Sequence, residues 1–226
     1  METQKFTRNQ QHLPIFPLGV VLLPKMTMPL HIFEERYKNM VNECMERNEP
    51  FGLVYFDGKQ IHKVGCTAQL IEVLKHYEDG LMDIVVQGDQ RFYMDQIDDS
   101  HACLMSSIFY IDDMEESVSD EDEALIHKIT NLLKYLNKLS GRMGDDARFD
   151  GVDLKRLSFI VPGAEGFTME ERQRFLEMTS TRERIEKGLR VLEKVISRVK
   201  INREVLEIIG GNGHVKAFLV ERGLAQ

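Results

Sequence analysis

The sequence predicts an α+β protein in which a β-rich half comes first and a helical half follows. Up to about residue 112, apolar residues come in short, partly alternating runs separated by Gly, Asp and Asn, the mark of strands joined by turns. From about residue 119 they recur every three or four positions, the mark of helices lying on a core. Charge divides at the same place. Residues 1–113 hold 10 Lys and Arg against 17 Asp and Glu, residues 114–123 hold six acids and no base, and residues 124–226 hold 19 bases against 14 acids. That predicts two regions, about 12–112 and 119–209, with a solvated acidic seam between them and a tail over 210–226.

The elements follow in order. "LPIFPLGVVLLPKMTMPLHIFEERY" (13–37) carries four of the six prolines in an otherwise apolar stretch. Proline cannot donate to a sheet ladder, so this reads as a short strand that bends repeatedly. Ile32, Phe33, Tyr37, Met40, Val41, Cys44 and Met45 then share one face of a helix over 32–47, which "NEP" ends. Strands are predicted at 51–56, 66–77, 81–88, 91–97 and 103–111, with Asp79-Gly80 as a hairpin turn in which both residues take positive φ. Ser119 with Asp122 resembles a capping box ahead of an apolar stripe running from Leu125 to Leu139. "SGRMGDDARFDG" (140–151) reads as a loop; its acids, with Asp153, lack the ligand spacing of a calcium loop. Asp153 caps "LKRLSFIV", which "PG" stops. Thr168 with Glu171 and Ser180 with Glu183 are further capping boxes, the last opening a long helix that "GGNG" breaks at 210.

Local catalytic motifs are absent from the sequence: no phosphate-cradling loop, no dinucleotide fingerprint, no nucleophile elbow, and no pair of histidines at metal-ligand spacing. Cys44, Cys66 and Cys103 read as small buried or half-buried thiols. We therefore expect a binding protein, not an enzyme, with no cofactor and no metal. The polar N-terminus has no apolar signal core and no run approaches the length of a membrane helix, so a cytoplasmic location is expected. The bases of the long helix, among them Arg182, Arg184, Lys187 and Arg190, interleave with Glu183 and Glu186 at i,i+4 and read as a solvated face. Arg91 reads as a structural arginine paired with a nearby carboxylate.

At this point a family resemblance enters. The opening stretch is similar to the N-terminal signature of the Lon protease substrate-binding domain, L-P-h-F-P-L followed by h-h-x-P-x-x-x-x-P-L-x-h-F-E-x-R-Y, with h apolar. "GCTAQLIEV" and "EDGLMDIVVQGDQRF" resemble its next segment, and "LSFIVPGAEGFTMEERQRFLEMTSTRERIEKGLRVLEKVI" resembles its helices. The resemblance covers about residues 12–200. It implies that the β half is a PUA-like pseudo-barrel and that residues 25–28, "KMTM", form a surface loop between Pro24 and Pro29. It implies recognition of polypeptide without cleavage, as in a stand-alone member lacking the ATPase and protease modules. Expected partners are unfolded or exposed apolar segments and a protease or ATPase in trans, with no membrane and no nucleic acid; RNA binding by the barrel is the alternative. Lys25, Met26, Met28 and Phe33 are the candidate peptide-binding residues, since flexible thioethers suit a surface that accepts many apolar sequences. Met28 and Phe33 have a competing reading as core.

Overall fold

The computed structural model describes residues 11–117, 119, 121–141, 149 and 151–211. Strands β1 (Gln11–Leu18) and β2 (Thr27–Ile32) are followed by helix α1 (Glu35–Arg47) and strands β3 (Phe51–Phe56), β4 (Ile61–His76), β5 (Met82–Asp98) and β6 (Leu104–Tyr110). Helices α2 (Glu121–Leu139), α3 (Leu154–Gly163), α4 (Met169–Glu177) and α5 (Thr181–Gly211) complete an α+β fold, with sheet first and helices second.

The expected PUA-like pseudo-barrel is corrected. The strands make one mixed sheet in the order β2-β5-β4-β3-β1-β6; a further β5–β6 ladder brings its far end back to β5, but β2 stays outside that ring, so the sheet is not a closed barrel. β4 and β5 run for 16 and 17 residues, longer than their neighbours. Their outer halves project with β2 as a three-stranded arm, Met28 facing Val86 and Val86 facing Leu70. β2 pairs with β5 alone, so the sheet keeps an edge that a closed barrel would not have.

β1 shows how a strand of this sheet tolerates prolines. Its first half, through Ile15, pairs antiparallel with β6; its second half, from Ile15, pairs parallel with β3. Pro14 and Pro17 therefore each lie where β1 has a strand on one side only, which is where a residue without an N–H can sit. Pro29 lies on β2, the edge strand.

Several boundaries differ from the sequence reading. Thr27 and Met28 belong to β2, so "KMTM" is a loop only over its first half, and α1 starts at Glu35 because Ile32 closes β2. β4 begins at Ile61, and the strands read at 81–88 and 91–97 are one, Met82–Asp98, unbroken at Gly88. At the hairpin only Gly80 takes positive φ, 78°. α3 runs on through Pro162 to Gly163, and α5 continues to Gly211. The aspartates at 145, 146 and 150, and the tail beyond 211, lie outside the described residues.

The caps explain why the helices start where they do. The Asp153 carboxylate accepts from the Arg156 N–H at 2.7 Å, and Thr168 with Glu171 forms a complete capping box. At α5 the box is split between segments: Ser180 Oγ accepts from the Glu183 N–H, while Glu116 from the acidic seam accepts from Ser180 Oγ and from the Arg182 N–H. Three apolar clusters result. One packs α1 on the sheet and includes Phe159 of α3 and Leu176 of α4; one fills the helices; one, on the opposite sheet face, gathers Leu13, Ile15, Val54, Phe92, Met94 and Ile108.

Candidate functional site

The turn before β2 is built by its backbone. Lys25 takes a left-handed conformation, φ 63°, which a side chain with a Cβ adopts only under constraint. The constraint is a clamp on β5: Lys25 N–H donates to the Gly88 carbonyl at 2.7 Å, and Gly88 N–H donates to the Met26 carbonyl at 2.9 Å. Gly88 is required there because a Cβ would collide with the Leu23 carbonyl. The Lys25 ammonium is held by the Asp89 carboxylate.

This turn forms one wall of a groove of about 430 Å³, with Leu133, Leu136, Phe159 and Ile160 of α2 and α3 opposite. A second cavity of about 380 Å³ shares Pro24, Lys25, Arg156 and Phe159 with it and reaches the junction between sheet and helices. Met26 is half-buried at this groove and is brought together with Lys25. Met28 is buried, 9% exposed, and packs in the sheet core. Phe33 is 62% exposed at the far end of β2, its ring stacked on His31 with centroids 6.1 Å apart. His31 is in turn held to Asp83 at 2.6 Å, and Tyr77 donates to the same carboxylate at 2.8 Å. Lys25 and Met26 thus share one place, Met28 lies beneath, and Phe33 stands apart.

The junction holds a group the sequence reading missed. Arg184 is fully buried, not solvated; its guanidinium forks onto both oxygens of Asp113 at 2.7 Å and its Nε donates to Ser158 Oγ at 2.9 Å. Arg91 donates to the same carboxylate at 2.6 Å and to the Leu176 carbonyl at 2.9 Å. Asp113, read as part of a solvated seam, has a side chain only 5% exposed. Burial alone would raise its carboxyl, but hydrogen bonding and charge from Arg184, with the charges of Arg91 and Lys155, hold it below its ordinary value. Burial lowers Arg91, against the attraction of Asp113. The helical phase did contain the signal: Arg184 lies four residues before Gly188 and eight before Leu192, on the face that meets the core.

A third cavity, about 770 Å³, lies between α1 and the β1 and β6 strands and is lined by both Cys44 and Cys103. Burial pushes the Cys44 thiol up to about 11 and raises Cys103 as well, the opposite of what a thiolate nucleophile needs. Cys44, Cys66 and Cys103 are free thiols. Among the described residues no group of His, Cys, Asp and Glu is placed to hold a metal ion, and no helix is long and apolar enough to cross a membrane.

Comparison with known proteins agrees with this architecture. The chain is 22% identical over 206 residues to the Lon protease of Flavobacterium johnsoniae, covering 85% of this chain and 25% of that protein. It is 25% identical over 213 residues to the Lon protease of Haemophilus influenzae, covering 87% and 26% respectively. The chain thus spans about a quarter of the length of these curated relatives. Its fold is similar to the crystal structure of a Lon N-terminal domain protein from Xanthomonas campestris, with TM-score 0.62, 20% identity, and coverage of 79% of this chain and 97% of that one. It is also similar to the N-terminal domain of Mycobacterium avium complex Lon protease, with TM-score 0.66, 16% identity, and coverage of 81% and 98%. The family model that matches, over residues 12–194, describes the ATP-dependent protease La (LON) substrate-binding domain, the non-catalytic part of such proteins. With that match across most of its length, the chain belongs to the Lon substrate-binding domain family.

Proposed function

We propose that this protein binds unfolded or exposed apolar polypeptide segments without cleaving them, and hands them to a protease or ATPase acting in trans. The observation that carries the reading is the groove beside Met26, where the clamped turn at residues 24–27 faces Leu133, Leu136, Phe159 and Ile160 among polar neighbours. Membership of a family described as substrate-binding supports it. Phe33 extends the surface: Met26 and Phe33 flank the two ends of edge strand β2, whose six residues span about 20 Å, the reach of a short extended segment. In this reading Lys25 orients the turn, Met26 and Phe33 touch the client, and Met28 anchors β2 from below. The RNA alternative leaned on the pseudo-barrel, which the sheet with its β2 edge does not form.

The test is fluorescence anisotropy of a dye-labelled unfolded polypeptide titrated with the protein at low and high salt. Binding that tolerates salt, and that weakens at least about fivefold in Met26→Asp and in Phe33→Ser, is the expected result. Full affinity in both variants would remove the assigned surface.

A further inference from the structure

We infer that Met26 is an oxidation site that switches the groove: a peroxide converts its thioether to the sulfoxide, client binding weakens, and a thiol-dependent reductase restores it. The inference rests on the polypeptide-binding reading above and adds a regulation of that same site.

Among the described residues Met26 is the only methionine that lines this groove. Its side chain is half-buried, packed on the sheet core beneath and reached from the groove above. Its backbone is fixed on both sides: the N–H donates to the Leu23 carbonyl at 3.1 Å, and the carbonyl accepts from the Gly88 N–H at 2.9 Å. The turn therefore holds the base of the thioether at the groove wall. Met28, Met40, Met82 and Met94 are buried, whereas Met114 is 43% exposed in the acidic seam. The thiols do not compete. Peroxide is attacked by thiolate, and burial pushes Cys44 up to about 11 and Cys66 up to about 12, and raises Cys103 as well. A thioether has no proton to lose, so it needs no such activation.

In the step, a sulfur lone pair attacks one oxygen of the peroxide, and the S–O bond forms as the O–O bond breaks. The transferred oxygen gives its proton to the departing hydroxide, which leaves as water; sulfur loses two electrons and the peroxide gains them. The reductase reverses this with two thiols, which become a disulfide while the oxygen leaves as water. Oxidation puts a polar oxygen where a flexible apolar side chain was. Ser140 and Arg156 line the same groove and offer donors, so the oxygen holds a donor or a water that an arriving apolar segment must displace.

The experiment exposes the full chain to hydrogen peroxide at pH 7 and at pH 8, removes the peroxide, and follows each methionine by peptide mass spectrometry. Binding of a dye-labelled unfolded polypeptide is read by anisotropy at the same time points. Affinity is expected to fall about tenfold, in step with oxidation of Met26 and later than that of the more exposed Met114. The rate should change by less than about twofold between the two pH values, where a thiolate would give close to tenfold. Partly oxidised protein passed over the immobilised polypeptide should leave the Met26 sulfoxide in the flow-through and the thioether on the resin, which assigns the effect without a substitution. Methionine sulfoxide reductases should then restore binding. Sulfoxide and thioether forms of Met26 that bind equally overturn the inference and leave polypeptide binding standing. So does a Met26 that stays reduced after Met114 is converted, a loss that follows another residue or rises tenfold with pH, or one that the reductases do not reverse. Untreated protein that binds no polypeptide overturns both.

Discussion

At the scale of single residues, the decisive group is Asp113. It is shared by Arg91 and Arg184 behind a wall of protein, and removing one member of such a set leaves an uncompensated buried charge. Arg184→Met is therefore expected to cost about 3 kcal/mol in urea unfolding, and Asp113→Asn more, because it leaves two guanidinium groups facing each other without a carboxylate. The sign with pH follows from the lowered carboxyl. Its contribution is complete above the ordinary aspartate value, about 3.9, and is lost as pH falls through the lower folded value. Unfolding measured at pH 7 and pH 3 should show the unaltered protein losing more stability than Asp113→Asn over that interval; an equal loss would mean the triad contributes nothing. Only part of this was legible in the local sequence: Arg91 reads as a paired structural arginine and the helical phase puts Arg184 on the core face, but neither points to Asp113. Asp113 sits beside a run of acids, and Arg184 sits among alternating charges, so both resemble solvated residues. Only the three-dimensional meeting of residues 91, 113 and 184 shows that one carboxylate serves both arginines. Of the candidate binding residues, Lys25 and Met26 fell at a groove because two prolines bracket them, whereas the alternation that buries Met28 needed the extent of β2 to be known.

At the scale of elements, what could be read from sequence was periodicity and capping, and what could not was length. β3 was read correctly at 51–56, and the caps at Asp153 and Thr168 are where the hydroxyl and carboxylate spacing places them. In the sequence β5 reads as two strands, 81–88 and 91–97, with Gly88 ending the first. Its real role is steric, letting the 24–27 turn lie against the strand. Gly88→Ala should accordingly destabilise by about 2–3 kcal/mol, since the atom it would strike is backbone and cannot swing away. Limited proteolysis should then cut the 24–27 turn faster than in the unaltered protein; an unchanged cutting pattern would show that the clamp is not what holds it. Thr168→Ala, by contrast, should cost only about 1 kcal/mol, the usual worth of an N-cap, in the same urea measurement.

For the whole molecule, sheet and helices share a core. Phe159 and Leu176 belong to the cluster that packs α1 on the sheet, Gln173 donates to the Val64 carbonyl at 3.0 Å, and Tyr55 donates to Glu170 at 3.2 Å. Sheet and helices are therefore expected to unfold together. Five of the six tyrosines lie before residue 112 and there is no tryptophan, so tyrosine fluorescence follows the sheet while far-ultraviolet circular dichroism weights the helices. Coincident urea transitions by the two probes are the expected outcome; separated ones would mean that the shared core is too weak to couple them. The order of pairing in β1 also bears on how the chain is made. Gln11 faces Ile108 and Ile15 faces Gly52, so among the described strands β1 waits longest between its first neighbour and its second. An apolar strand left waiting is open to association with other chains, and Pro14 and Pro17, placed so that β1 can serve two partners in turn, also spoil it as a template for a stranger while it waits.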